Sequence, residues 1–225
     1  MARVILSISI LLFFFIRTDA QYTANENKKW VFGRHCGLDF SSGIPVPFYS
    51  SLYTSEGSAS VSDASGHLLF YTDGKDVFNR TGVLMPSGGS IVPFITVSAS
   101  QAAVIAQVVG NPNQYYIFSL EQASGINYSH LAYSVVDMTL DGGNGDILPG
   151  LRGVPLDSFL SEKMISIKGS GCNTWLVTAK RDSLAFFVYN ITSAGISAPL
   201  ISVPAATTGT YYNAVGVFAV TSDGH

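Results

Sequence analysis

The sequence predicts an all-β chain assembled from repeated antiparallel sheets, and three observations predict it. Short runs of aromatic and β-branched residues alternate with turns built from Asp, Asn, Ser and Gly, most clearly in Gly57–Gly82, GSASVSDASGHLLFYTDGKDVFNRTG. The unit recurs: the apolar triplets Leu68-Leu69-Phe70, Tyr116-Ile117-Phe118 and Trp175-Leu176-Val177 lie 48 and 59 residues apart. Finally, Tyr115–Phe118, Trp175–Val177 and Phe186–Tyr189 are apolar on both faces, whereas an antiparallel sheet with one wet face alternates. Periods of about 40–60 residues holding about four short strands are the pattern of propeller blades. No sustained 3.6-residue period supports helical repeats. A two-sheet β-sandwich is the competing arrangement of such strands. The expectation is an incomplete β-propeller of about three to four blades, each a four-stranded antiparallel sheet, over residues 21–225.

Residues 1–20, MARVILSISILLFFFIRTDA, form a leader with a basic start at Arg3 and an apolar run of 13 residues from Val4 to Ile16. A small residue, Ala20, stands at the expected cut, the pattern of a secretory signal peptide. The apolar run is short of the roughly 20 residues a spanning helix needs, and an uncleaved anchor is the alternative. Cleavage leaves 10 basic and 14 acidic residues, a net charge of −4, with no basic stripe. Nucleic acid is thereby excluded as a partner on electrostatic grounds, and no membrane span remains once the leader is cut.

From Gln21 the chain is polar up to Lys29. Trp30-Val31-Phe32 forms a strand ended by Gly33; Gly37–Phe40 follows, then a Ser-, Gly- and Pro-rich loop, with Tyr49–Glu56 as a connection. Ala59–Ser62, His67–Thr72 and Asp76–Asn79 are the three strands of the first clear unit. A long connection punctuated by MPSGGSIVPF leads to the second unit, with strands at Ser100–Ala106, Gln114–Leu120 and Ile126–Asp137. The third has Glu162–Ile167, Thr174–Thr178 and Ala185–Asn190, and a fourth opens with a strand at Asn213–Val220. The sequence stops midway through that unit, as a fragment of a longer protein would. An open fragment of this kind is expected to leave a sheet edge unpaired and to aggregate.

Several segments carry a resemblance beyond the general pattern: Trp30-Val31-Phe32-Gly33 with Gly37-Leu38-Asp39-Phe40, Glu56–Asp63, Tyr71-Thr72-Asp73-Gly74 followed by Val77-Phe78-Asn79-Arg80, Met85-Pro86, Asn111–Phe118 and Tyr133–Met138. Together they resemble the N-terminal, WD40/YVTN-like propeller of large secreted bacterial proteins associated with gliding motility and type IX secretion. The resemblance spans nearly all of residues 28–225. It implies a secreted or outer-surface location, further blades, and the PKD-like modules and sorting domain that often follow in that family; neither module is present in this sequence. Phe78 stands where the family commonly has Trp, and His35-Cys36 where small or amide residues are usual.

No residue is assigned a catalytic, cofactor-binding or metal-binding role. Asp141–Asp146 (DGGNGD) has Gly143, Gly145 and Arg152 where an EF-hand needs oxygen ligands and its final Glu, and reads as a turn. Asp73 and Asp76 read as turn chemistry rather than as an acid/base pair. Asp63-Ala64-Ser65-Gly66 has one residue too many for the Asp-box of sialidases, and no GxSxG motif occurs. Cys36 and Cys172 either pair in an oxidising compartment or remain buried or semi-buried thiols. The sequons at Asn79, Asn127 and Asn190 read as surface turns. Two function classes remain: a non-catalytic binding or adhesion module for an extracellular protein or carbohydrate, and a propeller hydrolase, glycosidase- or lactonase-like, with carboxylates at the axial mouth.

Overall fold

The computed structural model describes residues 25–96, 98–123, 128–183, 185–203 and 214–220. The leader, the Asn127 sequon position and the expected turn at 222–224 lie outside the described residues. The described residues are all-β, in four small antiparallel sheets that close no barrel. Sheet A holds β1 (Lys29–Phe32), β2 (Arg34–Asp39) and β3 (Val46–Tyr53); sheet B holds β4 (Ala59–Ser62), β5 (Leu68–Thr72) and β6 (Val77–Asn79). Sheet C is the meander β7 (Ala103–Gln107), β8 (Gln114–Leu120) and β9 (Leu131–Asp137). The outer edge of β9 is shared by β10 (Asp146–Ile147) and β11 (Val154–Asp157). Sheet D repeats that plan with β12 (Leu160–Lys168), β13 (Thr174–Lys180), β14 (Phe186–Thr192) and the two short outer strands β15 (Gly195–Ile196) and β16 (Leu200–Ser202).

Local chemistry stops the strands where the sequence expects. Asp63 Oδ1 accepts the Ser65 and His67 N–H groups at 2.8 and 2.9 Å, turning β4 into β5. Asp73 Oδ1 accepts from Lys75 and Asp76 at 2.9 and 2.8 Å, and Gly74 beside it takes φ +87, open to glycine at little cost. Burial raises the Asp73 pKa despite those donors.

Three apolar layers hold the sheets face to face. Val31 and Leu52 of sheet A meet Leu68 and Tyr71 of sheet B. Phe70 and Val77 of sheet B meet Tyr115, Ile117 and Val136 of sheet C. Tyr116, Phe118 and Val135, on the other face of sheet C, meet Met164, Leu176 and Tyr189 of sheet D. Six consecutive buried residues in β8 therefore follow from a strand covered on both sides.

The leading strands β4, β7 and β12 pack side by side and start at the same end. The Gly57 N–H donates to Ala99 O at 3.0 Å. Gln101 Oε1 accepts the Met164 N–H at 2.9 Å. Strand β1 is different. Ser58 Oγ donates to Val31 O, while Ser60 Oγ donates to Lys29 O and accepts the Val31 N–H, so β1 runs opposite to β4. Sheet A thus has no strand equivalent to β4, β7 and β12 among the described residues.

Several expectations are corrected. The sheets are not uniformly four-stranded: A and B have three strands, since β6 is followed only by a single bridge, Phe78 to Leu84. Val46–Tyr53 is a full strand rather than loop and connection, because its register on β2 pairs Tyr49 with Cys36 and Phe48 with Gly37. Residues 214–220 form no strand, having no ladder partner among the described residues. The Asn79 sequon does open a surface turn, with Arg80 and Thr81 exposed and Asn79 O accepting the Gly82 N–H, although Asn79 itself is buried at the end of β6; Asn190 is paired within β14, so that sequon is not a surface turn. Cys36 and Cys172 are exposed free thiols, set in a strand and in the β12–β13 turn. Apart from these corrections, the hydroxyls of Ser58 and Ser60 donate to Val31 O and Lys29 O along one edge of β1.

Candidate functional site

In each meander the chain enters the leading strand at one end and returns there between its second and third strands. One end of the molecule therefore gathers the connection before β7, the β8–β9 loop and the β11–β12 junction. Two concavities belong to this framework.

The first, of about 370 Å³, lies along the leading strands and is lined by Trp30, Ser58, Ala59, Gln101, Ile105 and Met164 among others. Its polar lining is Asn27, Ser58, Gln101 and Ser166, all uncharged. Gln101 is also bonded in both directions to Phe218, accepting its N–H at 2.8 Å and donating to its carbonyl at 3.1 Å. Residues 214–220 also lie against sheet D, with Ala214 O accepting the Glu162 N–H at 2.7 Å and Phe218 packed on Phe186 at 5.9 Å. The axial carboxylates that a propeller hydrolase calls for are not among the described lining residues.

The second is a cleft of about 500 Å³ at the entry end, outside sheet C. Its walls are Pro93, Phe94 and Ile95 from the β6–β7 connection, Leu131 and Ala132 from the start of β9, and Gly153 and Pro155 around β11. Glu121, His130 and Asp157 supply its polar groups. The connection is held in place by Gln122, whose N–H donates to Ile95 O at 3.1 Å.

Glu121 and His130 face each other where β8 leaves and β9 begins. The Glu121 N–H donates to His130 O at 2.8 Å. Glu121 Oε2 lies 2.7 Å from His130 Nδ1 and accepts the His130 N–H at 3.0 Å. The carboxylate is 12 % exposed and the imidazole 49 %, so the acid is the buried support and the ring stands at the mouth. With Nδ1 committed to Glu121, Nε2 is the ring atom available to a ligand. Phe94 stacks on that ring, centroids 6.1 Å apart and planes 20° apart, and Tyr128 leans on it at 5.8 Å.

Asp157 is anchored from sheet D. Lys180 Nζ donates to Oδ1 at 2.7 Å, and the Tyr189 hydroxyl donates to Oδ2 at 2.7 Å. Burial, and then Asp157 itself, push the Tyr189 pKa far above its ordinary value, so the phenol stays a donor at any physiological pH. The cleft is therefore a mostly apolar trough with an aromatic face, one imidazole and two carboxylates fixed by their neighbours. Such a trough can stack the apolar face of a ring and accept hydrogen bonds from hydroxyls.

None of these side chains stands out in the sequence, since Phe94, Glu121, His130 and Asp157 come from four separate segments. The one legible sign is the length and Pro/Gly punctuation of the connection before β7, which contributes Phe94. The acidic residues that do attract attention serve the backbone. Asp146 of the DGGNGD segment accepts the Ser87 N–H and hydroxyl at 2.8 and 3.0 Å, fastening the β9–β10 loop to the β6–β7 connection. No group of three or more His, Cys, Asp or Glu suited to a metal occurs among the described residues. No family model matches the chain, and neither a curated protein nor a solved structure matches it.

Proposed function

We propose that the chain is a propeller-type binding module, exported by its leader to the outside of the cell, which takes an uncharged carbohydrate in the cleft between the β6–β7 connection and sheet C. The observation that carries the binding role is the pairing in one trough of an aromatic wall, Phe94 on His130, with two anchored carboxylates, Glu121 and Asp157. A sugar offers a C–H face to the first and hydroxyl donors to the second, while the two carboxylates disfavour acidic sugars. The propeller arrangement is supported by the parallel leading strands around the axial cleft and by the matching plans of sheets C and D. The resemblance to secreted gliding-motility and type IX secretion propellers supports the extracellular location and the adhesive role, with further blades and PKD-like modules as partners in the same polypeptide.

A hydrolase is the second class, and Glu121 with Asp157 is the pair it would use. Both carboxylates are engaged, one by His130 and the other by Lys180 and Tyr189, which suits acceptance of hydrogen bonds better than proton donation.

Calorimetric titration with a panel of neutral and uronate-containing oligosaccharides tests the proposal. A neutral oligosaccharide is expected to bind, and Phe94→Ala to weaken it by about tenfold, as loss of one stacking face does. The recovered sugar is expected to be unhydrolysed. Exclusive binding of the acidic members, unchanged affinity in Phe94→Ala, or turnover abolished by Glu121→Gln would each contradict it.

A further inference from the structure

Phe159, between β11 and β12, is the one bulky apolar residue held in left-handed backbone among the described residues, with φ +59. That conformation crowds Cβ against the following carbonyl and is a true outlier for a large side chain. The backbone is fixed there from both sides. The Phe159 N–H donates to Tyr128 O, and Phe159 O accepts the Arg181 N–H at 3.0 Å. Asp157 and Ser158, just before it, are held by Lys180, whose Nζ donates to Asp157 Oδ1 and to Ser158 O at 2.7 Å each. Yet the core makes no use of the ring so presented. Phe159 is 46 % exposed, and among the described residues it enters none of the three apolar layers. Strain that the surroundings maintain without a return in packing points to a contact with something else.

The neighbours of that ring lead back to the entry-end cleft. Tyr128, itself 56 % exposed, stands edge-on to Phe159 with centroids 5.1 Å apart and planes at 88°. Tyr128 leans on His130 at 5.8 Å, and Phe94 stacks on His130 at 6.1 Å. Four rings thus follow one another from the cleft wall, past the imidazole at the mouth, to the β11–β12 junction. The polar wall takes the same course, since Asp157 lines the cleft and lies two residues before Phe159. A cleft of about 500 Å³ is of a size to enclose one compact ligand. A longer chain must leave it over this rim. We propose that Tyr128 and Phe159 form an outer subsite, which stacks a further unit of a linear neutral oligosaccharide whose first units sit in the cleft. The inference rests on the carbohydrate reading of that cleft, and narrows the ligand to an extended polysaccharide chain. Neither outer ring carries a charge, so the subsite recognises the apolar face of a sugar unit.

Calorimetric titration with neutral linear cello-, xylo- and laminari-oligosaccharides, each from disaccharide to hexasaccharide, tests it on the native chain and on Phe159→Ala, Phe159→Gly and Phe94→Ala. Affinity within the series that binds is expected to rise about tenfold from the disaccharide to the hexasaccharide, as the outer rings are engaged. Both Phe159 variants are expected to lose that rise, whereas Phe94→Ala weakens every length. Phe159→Gly also separates a binding ring from a structural one. Glycine adopts φ +59 without strain, so this variant should melt at or above the native temperature while losing the length dependence. An affinity independent of length, with Phe94→Ala still weakened, overturns the outer subsite and leaves the cleft reading standing. So does a length dependence that survives both Phe159 variants. A melting temperature of Phe159→Gly far below the native one, as truncation of a buried phenylalanine gives, overturns it as well. Failure of every neutral oligosaccharide to bind removes the cleft reading itself, and the subsite with it.

Discussion

Glu162→Ala is expected to cost about 3 kcal/mol, the range for leaving several buried donors without their acceptor. Glu162 is 3 % exposed at the start of β12. Its Oε2 accepts the Ser100 N–H and hydroxyl at 2.9 and 3.0 Å, and its Oε1 accepts the Ala123 N–H at 2.8 Å. One side chain of sheet D thus organises both the entry to β7 and the segment after β8. Its loss strands two backbone N–H groups in the C–D junction. Thermal unfolding should fall by roughly 10 °C for a chain of this size. Glu162→Gln keeps the shape but turns an amide N–H₂ toward one of those donors, and should recover only part of the loss. An unchanged melting temperature in Glu162→Ala would mean that the junction is not held this way.

Gly57→Ala should be the most damaging small substitution, at about 2–3 kcal/mol, the cost of overpacking a closed contact. A Cβ at Gly57 would stand 2.2 Å from Ala102 N and 2.7 Å from Ala99 O. Both are backbone atoms of the neighbouring leading segment and cannot swing aside. Relief would require β4 and β7 to move apart, breaking the Gly57–Ala99 hydrogen bond. Gly33→Ala is the control: Gly33 has φ +60 but nothing within 4 Å of an added Cβ, so only the conformational cost of about 1 kcal/mol applies. Denaturant unfolding of the two variants side by side should separate them. Gly57 is not among the glycines with positive φ, so equal losses would show that the two strands yield to the added Cβ instead of being held by a closed contact.

The strands of sheets B, C and D were legible because their chemistry is local. Asp63 and Asp73 close turns through donors two to four residues away, and Tyr115–Phe118 advertises two covered faces in its own composition. The strand at Val46–Tyr53 was not legible. Pro47 and the Ser, Gly and Pro residues before it speak for a loop, and only the long-range register on β2 overrides them. Residues 214–220 fail in the opposite sense, having strand-like composition without a ladder. The candidate site was hidden for a related reason. Its polar groups are separated by 9 and 27 residues along the chain, from Glu121 to His130 and from there to Asp157. They meet only because the meander returns to the same end of the sheet, and single-sequence spacing carries no trace of that.

Amide hydrogen exchange with and without a saturating neutral oligosaccharide tests the account most directly, because it reports on the stack and on the cleft together. In the free chain the slowest amides should be those of β8 and β9, at the centre of the larger of the two sheets covered on both faces. Ligand should then slow exchange at 121–123, 130–132 and 153–157, and leave the turns at 63–67, 108–113 and 169–173 at the opposite end unchanged. Slowest exchange in sheet A, or ligand protection centred on the opposite-end turns, would contradict it.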